Sequence, residues 1–259
     1  MMAALGGWRR EARMVEKQVE IWTENGTADA VLFRPDGGAK LPGAIHLPDI
    51  AGVRDSHKEM AKRLAEQGYV VMLVNVFYRN GKSPVWAFPF KMGEDRSMKR
   101  LAELRDPLTP DAMERDAAAY VDFLHKQEGV GGAMMGVVGY CFTGGMAMRT
   151  AAARPEKIGA AASFHGGQLW TDKETSPHLV LPRVKARLYF GHADGDPFMP
   201  KDAIDNLDKA LAAWGGKYES EIYPGAKHAW TVPDAPVYDK AQADRAFGKL
   251  TELFQATLK

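Results

Sequence analysis

Between Met134 and Ala147 the chain reads Met-Met-Gly-Val-Val-Gly-Tyr-Cys-Phe-Thr-Gly-Gly-Met-Ala, an apolar run that breaks at a glycine-flanked turn and resumes at once as an Ala- and Met-rich segment. A strand that hands over to a helix within so few residues has to turn through a sharp elbow, and only small flanking residues permit it. The side chain at the apex then stands exposed above the sheet, with the positive end of the helix and its first N–H groups turned toward it. Here the apex is Cys141. That environment favours a thiolate nucleophile and, later in a reaction, an oxyanion. The usual pattern is Gly-x-Ser-x-Gly; this chain has Cys at the centre and Thr143 at the fifth position, with Gly144 and Gly145 one step later. A small buried cysteine in an ordinary strand-to-helix turn fits the same letters. Residues elsewhere in the chain must decide.

Strand-like and helix-like segments alternate on both sides of the elbow. Gln18 to Trp22 and Ala30 to Phe33 flank Asn25-Gly26, a hairpin signal, and Gly43 to Leu47, Val70 to Val76, Ile158 to Phe164, Ala186 to Gly191 and Tyr218 to Tyr223 read as further strands. Helical spacing runs over His57 to Gln67, with Asp55 or Ser56 as its cap, and over Glu94 to Leu104. It recurs from Pro110 to Gln127, from the elbow to Ala153, from Lys201 to Trp214 and from Asp239 to Leu258. This alternation predicts an α/β fold: a mostly parallel central sheet with helices on both faces. No Pro-, Gly- or Ser-rich linker divides the 259 residues, so residues 15–259 are expected to form one domain behind an N-terminal extension, 1–14, without regular structure.

The charge balance, 34 Lys and Arg against 33 Asp and Glu, offers no general attraction to nucleic acid or to an anionic membrane surface. A small-molecule partner is expected, with the chain a monomer or homodimer. One cysteine excludes an intrachain disulfide and a Cys-rich metal site and fits a reducing compartment. No apolar run reaches the ~18 to 20 residues of a membrane span, and none near the start is long enough for a signal peptide, so a cytoplasmic location is expected. The histidines at 46, 165, 178 and 192 fall on separate loops or strand ends without metal-ligand spacing. The glycines after Cys141 have neither a dinucleotide nor a P-loop pattern. Neither a metal nor an organic cofactor is expected.

A hydrolase built on such an elbow needs an acid after a later strand and a histidine after the last one, in the chain order nucleophile, acid, base. The loop after Leu188-Tyr189-Phe190-Gly191 carries Asp194 and Asp196, and the loop after Glu221-Ile222-Tyr223 carries His228. All three strand ends lie at one edge of the expected sheet. So does the loop from Pro48 to Arg54, at the end where α/β folds place ligands. The aromatic-rich segment from Asn80 to Pro110, with Trp86, Phe88 and Phe90, is either a wall or lid of the pocket or part of the core.

From about Val19 to the C-terminus the chain resembles the dienelactone hydrolases (carboxymethylenebutenolidases) of the α/β-hydrolase fold. The likeness rests on Asp49-Ile50-Ala51-Gly52-Val53, Phe77-Tyr78-Arg79, Gly139-Tyr140-Cys141-Phe142-Thr143-Gly144-Gly145, Asp196-Pro197-Phe198-Met199-Pro200 and Gly225-Ala226-Lys227-His228. The resemblance implies Cys141 as nucleophile, His228 as base and Asp196 as the acid that orients it, since the family's acid stands four residues before a proline; Asp194 is the alternative. It implies an oxyanion hole from the N–H groups of Phe142 and Ile50, and substrate contacts from Asp49, Tyr78 and Arg79. Asp49 stands where the family's Glu holds the resting thiol and is one methylene shorter. Arg79, Arg96 and Arg100 are candidates for binding a substrate carboxylate. The implied reaction is hydrolysis of lactones or small carboxylic esters through a thioester. The competing readings are a non-catalytic protein binding a small ligand in the same pocket, and a thioesterase or peptidase on the same three residues.

Overall fold

The computed structural model describes residues 13–258, in which eight strands and six α-helices alternate. The chain enters through an antiparallel hairpin, β1 (Met14–Thr23) and β2 (Gly26–Pro35), with Thr23 paired to Gly26. The two loop residues are Glu24 and Asn25, so the Asn-Gly signal marks the turn one residue late, and Gly26 opens β2 with φ +136°. There follow β3 (Gly43–Leu47), α1 (Asp55–Ala65), β4 (Val70–Val74), α2 (Asp95–Arg105), α3 (Pro110–His125), β5 (Met135–Tyr140) and α4 (Gly144–Ala153). The chain closes with β6 (Ile158–Phe164), β7 (Arg187–Ala193), α5 (Lys201–Trp214), β8 (Tyr218–Tyr223) and α6 (Lys240–Leu258).

The sheet order is β1-β2-β4-β3-β5-β6-β7-β8; β2 pairs antiparallel with β1 and β4, and every other neighbouring pair is parallel. After β3 the chain steps outward to β4 and then returns to place β5 on β3's other side. The strand order therefore reverses between β3 and β5, and the crevice beyond their carboxyl ends is where an open α/β sheet binds ligands. The loop with Ile50 leaves β3, and Cys141 leaves β5.

Strands buried on both faces explain the nearly unbroken apolar runs. In β4, Val70, Met72 and Val74 pack with Tyr120 and Leu124 of α3, Met148 of α4 and Leu207 of α5 in one layer. Val71 and Leu73 face the other, with Leu64 of α1 and Phe254 of α6.

Three details differ from expectation. The cap of α1 is Arg54, in extended conformation and without a side-chain cap bond, while Asp55 is already helical. The fourth strand stops at Val74, because the Asn75 side chain turns the backbone by accepting from the Phe77 N–H at 3.0 Å. Of the expected extension, residues 1–12 lie outside the described residues; Met14 begins β1, and the Arg13 carbonyl accepts from the Asp36 N–H at 2.7 Å. Among the described residues no helix is long and apolar enough to cross a membrane.

Candidate active site

Cys141 sits at φ +57°, the left-handed region that a side chain normally avoids. Its neighbours hold it there. The Tyr140 N–H donates to Thr143 Oγ1 at 2.9 Å, and that hydroxyl faces the carbonyls of Leu47 (2.9 Å) and Tyr140 (3.0 Å), tying the elbow to the end of β3. A Cβ on Gly139 would lie 2.2 Å from the Thr143 carbonyl oxygen, and one on Gly144 would lie 2.3 Å from Ser163 Oγ and 2.9 Å from Gly166 Cα. The close approach that the usual pattern meets with its fifth residue is met here by Gly144, one step later, which frees position 143 for a hydroxyl. Thr143→Val should strand the buried Tyr140 N–H and lower stability by about 1–3 kcal/mol, read as a shift in the urea unfolding midpoint.

Across the sheet edge, His228 Nε2 lies 3.1 Å from Cys141 Sγ and His228 Nδ1 lies 2.6 Å from Asp196 Oδ2. Asp196 is only 3% exposed, and its other oxygen accepts from the Phe198 N–H at 2.9 Å, which sets the carboxylate plane. Burial by itself would lower the His228 pKa; hydrogen bonds and charge from Asp196 and Cys141 outweigh it and hold the ring at about 10. The Asp196 carboxylate is an acceptor, so Nδ1–H donates to it, and Nε2 faces the sulfur. Asp194 stands apart: its carboxylate is exposed and accepts from the Gly225 N–H at 2.9 Å.

His165 completes the floor. The Cys141 N–H donates to its Nδ1 at 3.0 Å, so the ring proton is on Nε2, which donates to Thr231 Oγ1 at 2.8 Å. Burial, reinforced by the neighbouring His228, pushes its pKa well below the usual value and keeps the ring neutral. Its role was not legible in the sequence, although its place at the end of β6 before Gly166-Gly167 was.

The loop that leaves β3 is held around Ile50 by three hydrogen bonds. The Asp49 carbonyl accepts from the Gly52 N–H (3.0 Å), the Ile50 carbonyl accepts from Trp86 Nε1–H (3.1 Å), and the Ala51 N–H donates to Asp49 Oδ1 (2.8 Å). Both peptides around Ile50 are thus pinned. Its own N–H, like that of Phe142, has no acceptor among the described residues. Trp86 therefore holds the Ile50 loop through one hydrogen bond. Trp86→Phe should lower kcat roughly tenfold, the worth of that bond, with KM little changed in steady-state ester hydrolysis.

Residues 28–258 match the model of the dienelactone hydrolase family. The chain belongs to that family. It is 29% identical over 219 residues to the carboxymethylenebutenolidase of Rhodococcus opacus, covering 83% of this chain and 81% of that protein. In fold it is similar to a dienelactone hydrolase-like promiscuous phosphotriesterase from metagenomic libraries (TM-score 0.78, 20% identity, 95% of this chain and 99% of that one). It is also similar to the dienelactone hydrolase of Anabaena variabilis (TM-score 0.66, 17% identity, 96% and 100%).

Three substrate contacts implied by the dienelactone hydrolase resemblance are placed differently in this member. Asp49 does not hold the thiol: its carboxylate is forked onto Arg54 at 2.7 and 2.9 Å and lies 3.4 Å from His57 Nε2. Burial would raise its pKa, but His57 and Arg54 hold it well below the usual carboxylate range. The Tyr78 hydroxyl donates to Asp116 Oδ1 (2.9 Å) and bonds Thr23 Oγ1 (2.7 Å), while Arg79 pairs with Asp116 at 2.6 Å and donates to Asn25 at 2.9 Å. A carboxylate as buried as Asp116, 1% exposed, needs such partners. Tyr78 and Arg79 therefore brace the segment after β4 against α3 and the hairpin turn.

The other arginines are also engaged. Arg100 donates to the Val85 carbonyl at 3.1 Å, and Arg96 lies 3.6 Å over the Phe88 ring. Arg105 is the arginine nearer the elbow, 5.0 Å over the Phe142 ring, where it lines a cavity of about 260 Å³ with Met146 and Gln168. Nothing in its local sequence marked it, since α2 had to be docked before the contact existed. Among the described residues no group of three or more His, Cys, Asp or Glu is placed to hold a metal ion.

Proposed function

We propose that this member of the dienelactone hydrolase family cleaves lactones or small carboxylic esters by covalent acyl transfer on Cys141. The observation that carries the reading is the continuous Asp196–His228–Cys141 line, at 2.6 and 3.1 Å, together with the N–H groups of Ile50 and Phe142, which have no acceptor among the described residues. The sulfur, as thiolate, attacks the substrate carbonyl carbon, and the carbonyl oxygen takes up the negative charge between the two N–H donors. The carbon–oxygen ester bond then breaks; the alkoxide leaves with the proton from His228 Nε2, and a thioester remains on Cys141. His228, now neutral and held by Asp196, takes a proton from water as that water attacks the thioester, and breaking the carbon–sulfur bond releases the carboxylic acid and frees the sulfur for the next substrate. The chain itself supplies every group these steps need.

A thiolate is a better leaving group than an amine's nitrogen, so the tetrahedral intermediate from an amide returns to reactants while that from a strained lactone or activated ester goes forward. This argument places ester and lactone hydrolysis ahead of peptidase chemistry. The direct test is to quench p-nitrophenyl acetate turnover and look by peptide mass spectrometry for acetylated Cys141, with a dienelactone assayed in parallel. Hydrolysis without any acyl adduct would assign the chemistry to another group, and absence of hydrolysis of both substrates would leave the ligand-binding reading in its place.

A further inference from the structure

Arg54 has all five N–H groups engaged. Nη1 donates to Asp49 Oδ1 (2.7 Å) and to the Gly52 carbonyl (3.2 Å), Nη2 to Asp49 Oδ2 (2.9 Å) and Asp234 Oδ1 (3.0 Å), and Nε to Asp234 Oδ2 (2.7 Å). The two carboxylates it holds belong to different loops. Asp49 immediately precedes Ile50 on the loop from β3, and Asp234 follows His228 on the loop from β8. Those strands are not neighbours, since β5, β6 and β7 stand between them. Among the described residues no backbone hydrogen bond joins the two loops.

We infer that Arg54 is a positioning residue, a latch that sets the Ile50 N–H against the His228 ring by clamping Asp49 and Asp234 together. This rests on the hydrolase reading above. The base and the oxyanion donor act on one carbonyl group, so their separation has to hold to about half an ångström. A planar guanidinium forked onto a carboxylate on either side transmits position in a way that a point charge on a flexible stem does not. The same fork governs the donor directly: Asp49 Oδ1, which Arg54 holds, also accepts the Ala51 N–H at 2.8 Å and so sets the turn that presents Ile50. His57 Nε2, accepting from the Asp49 N–H at 3.2 Å, closes the base of that loop from α1.

The test compares Arg54→Lys and Asp234→Asn with the parent protein in two assays, ester hydrolysis and the rate of Cys141 alkylation by iodoacetamide. Alkylation uses the Cys141–His228 pair but no oxyanion hole, so it reads the pair alone. The latch predicts that kcat falls about 30- to 100-fold in Arg54→Lys and about tenfold in Asp234→Asn, with KM within about threefold and alkylation within about twofold of the parent. Asp234 is half-exposed, so its variant keeps the test open if Arg54→Lys fails to fold. A parental kcat in folded Asp234→Asn would overturn the latch, and so would alkylation that slows in step with kcat, which would make Arg54 a support of the pair or of the fold. A parent protein inactive on both p-nitrophenyl acetate and dienelactone would overturn the hydrolase reading and the latch with it.

Discussion

Cys141→Ala is expected to reduce hydrolysis of p-nitrophenyl acetate to the background of the solution reaction, a loss of about 10⁴-fold or more in kcat. The size follows from what is removed. In the proposed mechanism the sulfur forms the covalent bond, and His228 Nε2, 3.1 Å away, bonds no other side chain among the described residues. On the proposed reading, what survives is the pocket and the N–H groups of Ile50 and Phe142, without the sulfur that would attack. The substitution is nearly silent for the fold, because Ala is smaller than Cys and the elbow is held by Thr143 and His165 through backbone groups at 140 and 141. An Ala variant that unfolds like the parent but hydrolyses nothing is the expected pair of results. Retained turnover in a folded Ala variant would remove Cys141 from the mechanism.

The second large effect is at Asp196. Asp196→Asn should lower kcat about 10²- to 10⁴-fold, since an amide can donate to His228 Nδ1 and so favour the wrong tautomer, leaving no lone pair correctly placed to receive the second proton. The same change at Asp194, whose carboxylate faces Gly225, should leave kcat within about twofold. The pair of variants separates the two acids that the sequence offered within one loop.

Asp196→Asn also has a pH signature. Asp196 is one of the groups holding His228 at about 10, so the imidazole titration followed by NMR should move down in the variant. The folded-state value lies above the ordinary ~6.5 of an unfolded histidine. The stability this protonation contributes is therefore fully present below about pH 6.5 and is lost as the pH rises through about 10. Urea unfolding should show the parent's advantage over Asp196→Asn greatest at pH 6 and shrinking steadily to pH 10. An advantage that grows over that range would contradict the raised pKa of His228.

Element order was readable from the chain because strand and helix periodicity is a local property. The runs at Gly43–Leu47, Ile158–Phe164, Lys201–Trp214 and Tyr218–Tyr223 lie where the apolar pattern and its glycine and proline punctuation put them. The nucleophile, acid and base candidates were readable for a related reason. Each hangs on the loop after a strand, and parallel strands bring all such loops to one edge. Residue types in chain order thus named Cys141, His228 and two candidate acids, while the distances between them belong to the folded chain.

Side-chain partnerships across long chain separations had no such signature. Tyr78 and Arg79 share a motif with the dienelactone hydrolases, yet their polar ends belong to Asp116 of α3, because a buried carboxylate must be neutralised by whatever cation the packing delivers. Asp49 has the chemistry to face a thiol, but Arg54 approaches it once α1 is docked, and the carboxylate pairs with that guanidinium. Trp86 reads as an aromatic in an irregular segment until its indole meets the Ile50 carbonyl. The amino-acid order determined the elements, the edge where chemistry collects and the kinds of group available there. Tertiary structure decided which acid meets the histidine, which N–H groups stay free and which arginine joins two loops 180 residues apart, because those outcomes depend on burial and on charge partners that only the closed fold brings together.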